Sequence, residues 1–157
     1  MKIMFVCLGN ICRSPTAHGI AIKLIRDSQL NQVTVTSSGT ASYHVGSPPD
    51  KRATEYALSK GVDLSVLRAQ QLQKADFYEQ DLILVMDQSN YENALALRPA
   101  DATAKIEKLL WYYPNCPFED VPDPYYGEDE GFAQVFHLCE VAITHLLEDI
   151  SKTVDDG

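Results

Sequence analysis

The feature that most narrows what this chain can fold into is the join between its first strand-like run and its first helix-like run. Residues 2–6, "KIMFV", are short and mostly apolar, as a buried parallel strand should be. "TAHGIAIKLIRD", from Thr16, has helical patterning, and Ser14-Pro15 opens that helix, which runs to about Ser28. Proline is tolerated there because the first-turn N–H has no helical partner to lose. Only "CLGNICR" lies between the two. A strand feeding a helix through so short a turn commits the chain to crossover units. In such sheets ligands sit beyond the carboxyl ends of the strands, at the strand-to-helix turn.

The rest of the chain continues the alternation. Residues 33–37, "VTVTS", read as a β-branched strand that stops at Ser38-Gly39. Asp50 is placed to cap a helix over 51–60 that ends at Gly61. "DLILVMD", 81–87, is the most strand-like run, and a helix over 89–97 stops at Arg98-Pro99. A fourth strand is predicted within 104–113. Residues 114–131, with four prolines and no periodicity, read as a long loop. Apolar residues from Phe132 to Leu147 keep helical spacing, which predicts a last helix over 131–150. The expected fold is a single α/β domain over 1–157, a four-stranded parallel sheet flanked by helices on both faces. A phosphate-binding loop follows the first strand.

Charge and cysteines remove several function classes. A net charge of −9 argues against nucleic-acid or anionic-membrane binding. No apolar run reaches the length of a membrane span, and "MKIMFVCLGN" lacks the features of a signal peptide. Cys7, Cys12, Cys116 and Cys139 suit neither a disulfide framework nor a zinc site, since only one close pair exists. His18, His44, His137 and His145 form no metal-like spacing. The expectation is a cytoplasmic protein with free thiols, no metal and no cofactor.

The opening turn then has to account for its own residues. Leu8, Gly9, Asn10, Ile11 and Cys12 can turn backbone N–H groups inward as an anion nest, with the helix N-terminus adding partial positive charge. Glycine and asparagine tolerate the left-handed dihedrals such a loop needs. Arg13 offers a planar fork for two phosphate oxygens, and the same field favours a thiolate at Cys7. Ser14 is within sequence reach to donate its hydroxyl to that sulfur. A nucleotide-binding G-x-x-x-x-G-K-[ST] loop is the rival, but its glycine and lysine are missing. Taken singly, each residue has a bland explanation as core or helix start. Cys7 and Arg13 at C-x5-R, followed by Ser14, together indicate a nucleophile in an oxyanion cradle.

Here the chain resembles the low-molecular-weight protein tyrosine phosphatases. "VCLGNICRSP" is similar to their signature loop, and "DPYYG" at 123–127 to their general-acid loop; "SSGT", "HVGSPPDKRA" and "LVMDQSN" fall in family order. The resemblance implies that Cys7 attacks phosphorus to form a cysteinyl-phosphate while Arg13 and the loop amides hold the transferring group. It implies that Asp123 protonates the leaving phenolate and later deprotonates water, with no metal needed. Tyr125 and Tyr126 would wall a deep slot around an aromatic ring. Tyr43 would form the opposite wall, where relatives often carry Trp. The neighbouring acids Glu119, Asp120, Glu128, Asp129 and Glu130 read as solvated charge.

The resemblance further implies that Asn10 braces the loop, that Asp87 gives structural support, and that Cys7 and Cys12 can form a reversible disulfide. Leu67 and Gln70 stand where many relatives carry His and Arg. An Asn-Ser-His bracing network is therefore expected to lack its imidazole, with activity retained. The implied partners are phosphotyrosine-containing proteins, and weak self-association is left open. Three alternatives are weighed. Arsenate reductases need mid-chain redox cysteines, and none lies between Cys12 and Cys116. Protein arginine phosphatases tend to carry threonine at Ile11 and lack the tyrosine pair. A non-catalytic phosphate-binding module would have no use for every chemical part.

Overall fold

A computed structural model describes residues 1–124 and 130–156. Four parallel strands form one sheet: β1 (Lys2–Cys7), β2 (Thr34–Gly39), β3 (Leu82–Val85) and β4 (Lys105–Lys108), in the order β2-β1-β3-β4. The helices are α1 (Arg13–Ser28), α2 (Lys51–Ser59), a single turn α3 (Asp76–Glu79), α4 (Gln88–Leu97) and α5 (Glu130–Asp156). The expected four-stranded parallel α/β architecture is what the chain adopts.

The central strand β1 explains why the site forms where it does. Its residues alternate between two cores. Ile3, Phe5 and Cys7 pack with Ala17 and Ile20 of α1 and with Ile143 and Leu146 of α5. Met4 and Val6 pack on the other side with Phe77, Ile83 and Ala94. Each fully buried side chain of this size contributes about 1.5–3 kcal/mol, so the register is strongly held. A slip by one residue would exchange the faces. Cys7 pairs in register with Gly39 at the carboxyl end of β1 and lies on the α1/α5 face.

Local chemistry sets the helix starts. Asp50 caps α2, its Oδ1 accepting from Arg52 N at 2.8 Å and Ala53 N at 3.3 Å. Asp87 caps α4 in a reciprocal box with Asn90. Some boundaries differ from expectation. The run 104–113 is strand only to Lys108; a 3₁₀ turn, Leu109–Tyr112, follows and buries Leu109 and Leu110 beneath α5. The single turn α3 had no periodic signal, because four residues are too few to show one. The last helix runs six residues past Ile150, to Asp156.

Candidate active site

The turn from Leu8 to Cys12 leaves β1 and enters α1 at Arg13, wrapping the sulfur of Cys7, a residue only 3% exposed. Asn10 makes the wrap feasible. It adopts a left-handed conformation (φ 56°), which asparagine tolerates better than most residues, and its amide donates to Cys7 Sγ at 3.3 Å. Ser14 Oγ lies 3.1 Å from the same sulfur, receives a bond from Asn10 Nδ2 at 2.7 Å and reaches Ser38 O at 3.3 Å. Its single proton therefore has two destinations, the sulfur or the carbonyl. Cys12, at the N-cap of α1, makes no side-chain cap. The first-turn amides of α1 thus stand available to an anion.

Gly39 fits this loop against β2. A Cβ there would stand 2.6 Å from Leu8 O and 3.0 Å from Asn10 N. Gly9 similarly leaves room for His44, whose Cδ2 would lie 3.1 Å from an added Cβ. On the far side, Asn10 Oδ1 accepts from the main-chain N–H of Gln70 at 3.0 Å, while Gln70 Nε2 donates to Ser37 O at 2.8 Å. Leu67 packs against the main core. The bracing expected to suffer from the missing imidazole is thus supplied by a backbone amide. Asp50 N donates to Ile11 O at 2.8 Å and anchors the outer edge.

Arg13 is buried under the cavity floor. Its Nη1 donates to Asp87 Oδ2 at 2.6 Å and to Val121 O at 3.1 Å, and its Nη2 lies 3.5 Å from Asp123 Oδ2. Burial opposes the guanidinium charge, but Cys7, Asp87 and Asp123 outweigh it and hold the group more firmly protonated than usual. Asp87 spends one oxygen on Arg13 and the other on Asn90 N at 2.8 Å, which is the structural support expected of it. The Cys12 thiol, by contrast, is pushed well up by burial and by the nearby charges of Asp50, Cys7 and Asp123. It is a poor nucleophile in this state.

Cys7, Arg13 and Asp123 line one cavity of about 90 Å³, with Leu8, Gly9, Ile11, Cys12, Tyr43 and His44. Most residues expected at the site are therefore together. Tyr43 is at the rim, 77% exposed, while Tyr125 and Tyr126 lie outside the described residues. His44 was not anticipated there, since a lone loop histidine carries no spacing signal. Two tethers of the acid segment were equally hidden. Val121 N donates to Met86 O at 2.8 Å, joining the segment to the end of β3. Asp120, read from sequence as solvated charge, is partly exposed and also accepts from the buried Lys108 Nζ at 3.0 Å.

The arrangement is a sulfur met by the Asn10 amide and the Ser14 hydroxyl, with the Arg13 guanidinium and the Asp123 carboxyl lining the same cavity. Comparison with known proteins agrees in kind. The sequence profile of the low molecular weight phosphotyrosine protein phosphatases matches residues 2–156. A human low molecular weight phosphotyrosine protein phosphatase is 39% identical over 141 residues, covering 88% of each chain. Among solved structures, a protein tyrosine phosphatase from Entamoeba histolytica superposes with a TM-score of 0.93 at 35% identity, covering 98% of each chain. An arginine phosphatase from Drosophila superposes with a TM-score of 0.89 at 30% identity, over 96% of this chain and 98% of that one.

Proposed function

This chain belongs to the low molecular weight phosphotyrosine protein phosphatases, a family of hydrolases, and from that premise we propose that it hydrolyses phosphotyrosine in proteins, and small aryl phosphates, through a cysteinyl-phosphate on Cys7. Residues 1–157 act as one phosphatase domain. The observation that carries the reading is the convergence of Cys7, Arg13 and Asp123 on one small cavity.

In the first step Cys7 Sγ attacks phosphorus as the P–O bond to the tyrosine oxygen breaks. Asp123 gives its proton to the departing phenolate. The amides of Leu8 to Cys12 and the Arg13 fork take the equatorial oxygens, whose charge is largest in the transition state. In the second step water attacks the phosphorus and Asp123 accepts its proton. The S–P bond breaks and inorganic phosphate leaves. A departing thiolate can only accept, so the Ser14 proton turns from Ser38 O to the sulfur. Tyr43, with Tyr125 and Tyr126, would hold the phenyl ring; a phosphoserine is too short to bring its phosphorus to a sulfur at this depth.

No described helix is long and apolar enough to cross a membrane. Cys7, Cys12, Cys116 and Cys139 are all unpaired, which fits the reducing cytoplasm. The second reading, phosphoarginine hydrolysis, draws on the Drosophila similarity; Ile11 and the tyrosine pair favour the aromatic substrate. Hydrolysis of phosphotyrosine, phosphoserine and phosphoarginine peptides side by side decides. The expected result is preference for phosphotyrosine and an inert Cys7→Ser variant. Preference for phosphoarginine would overturn the substrate assignment, and a wild-type protein inert toward every phosphoester would overturn the enzyme assignment.

A further inference from the structure

We propose that the groove leading from Leu8 to α4 docks the polypeptide on one side of the phosphotyrosine and selects uncharged, hydrogen-bonding side chains there. The inference rests on the phosphatase reading above and extends it to the substrate sequence.

The groove, of about 750 Å³, shares Leu8 and Tyr43 with the phosphate cavity. A substrate chain advances about 3.3 Å per residue when extended. With its phosphotyrosine over Cys7, it would enter the groove within a few residues. This continuity identifies the occupant as the substrate's own chain.

The lining defines the chemistry. Ser42, Gln71 and Asn93 offer a hydroxyl and two amides around a short apolar strip that includes Ala96 and Leu97. Among the described residues that line the groove none is charged, on a chain whose net charge is −9. An acidic or basic side chain lowered into it would lose hydration and meet no counter-charge. An amide or hydroxyl would meet several partners.

The Gln71 amide is the adaptable member of this lining. Its Nε2 reaches Thr40 O only at 3.4 Å from an exposed position, so it is easily redirected to a ligand.

The test compares kcat/KM for nitrophenyl phosphate with that for three phosphotyrosine peptides, whose flanking residues are Asn and Ser, Glu, or Lys. Wild type should prefer the Asn/Ser peptide. Ala96→Trp, on the exposed face of α4, should lower kcat/KM for that peptide about five- to tenfold and leave nitrophenyl phosphate unchanged, since one or two lost contacts correspond to such a factor. Asn93→Asp should shift the preference toward the Lys peptide. Equal loss on both substrate classes, or none on the peptide, would overturn the proposal. So would an Ala96→Trp variant whose only change is in oligomeric state, which would assign the groove to a second copy of the chain. A wild type inert toward nitrophenyl phosphate would instead overturn the phosphatase reading.

Discussion

The cradle around Cys7 and the segment that carries Asp123 face each other across one cavity, yet they are held by different means. The cradle is local: the sulfur at the end of β1, Arg13 at the start of α1 and the five-residue turn between them, with its amide donor and the bracing Asn10, are contiguous in sequence. The Asp123 segment has no regular structure of its own. It is pinned from outside, by Val121 to Met86 and Arg13 and by Asp120 to Lys108. The groups that meet the sulfur thus come from a single turn, which Gln70 and Asp50 brace from outside, whereas the acid's position rests wholly on contacts with distant elements. Arg13 belongs to both, since its fork touches Asp87, Val121 and Asp123 together.

The contrast can be broken most forcefully at the acid. Asp123→Asn should lower kcat/KM, which reports the first step, by about 10²–10⁴-fold with little change in thermal midpoint. The loss should shrink as the leaving phenol becomes more acidic, because such a phenolate needs less protonation. A loss independent of leaving group would remove Asp123 from the first step. At the cradle, Gly39→Ala should act on fold and activity alike. A methyl group 2.6 Å from Leu8 O forces the loop to shift, at a cost of about 1–3 kcal/mol. Denaturant unfolding and aryl phosphate turnover should fall together; normal values for both would show that the loop yields freely.

A smaller effect sharpens the comparison at the tether. Lys108→Met removes the partner of Asp120 and should reduce kcat/KM about two- to fivefold, with stability lowered by about 1 kcal/mol or less. The loss should be confined to poor leaving groups, as for Asp123. A leaving-group-independent loss would mean that the tether serves the cradle instead. The last effect, on stability alone, lies behind the cradle, on α1. Burial lowers the His18 pKa from its ordinary 6.5 to about 4, partly offset by a bond to Val35, and its Nδ1 lies 2.9 Å from Ser37 Oγ. Below pH 6.5 the unfolded chain takes up a proton that the folded one refuses until about 4. This group's contribution is therefore complete above pH 6.5 and is lost as pH falls from there to about 4. His18→Gln should be less pH-sensitive than wild type in chemical denaturation at pH 7 and pH 5; identical slopes would refute the assignment.

The same contrast explains what the sequence made legible. Cys7, Asn10, Arg13 and Ser14 stand within eight positions, so their chemistry could be inferred from spacing and residue type. The apolar strand runs and the cap at Asp50 are equally local, and they appear where expected, whereas the cap at Asp87 went unread. Asp123 had no such signal and entered only through resemblance to a known family. Gly39, Val121, Lys108 and His44 act through partners far along the chain, so nothing in their own neighbourhoods marked them. Gln70 is the sharpest case. Its side chain suggested a lost arginine, whereas its contribution to Asn10 is a main-chain N–H, which any residue but proline supplies.

The central claim is that the sulfur seated in this turn carries phosphorus during turnover. An Asp123→Asn protein mixed with nitrophenyl phosphate should accumulate that species, because a good leaving group forms it readily while its hydrolysis lacks a base. After rapid acid quench, intact mass and peptide mapping should show one phosphoryl group, on Cys7. Nitrophenol release with no covalent phosphorus, or phosphorus on another side chain, would contradict the account.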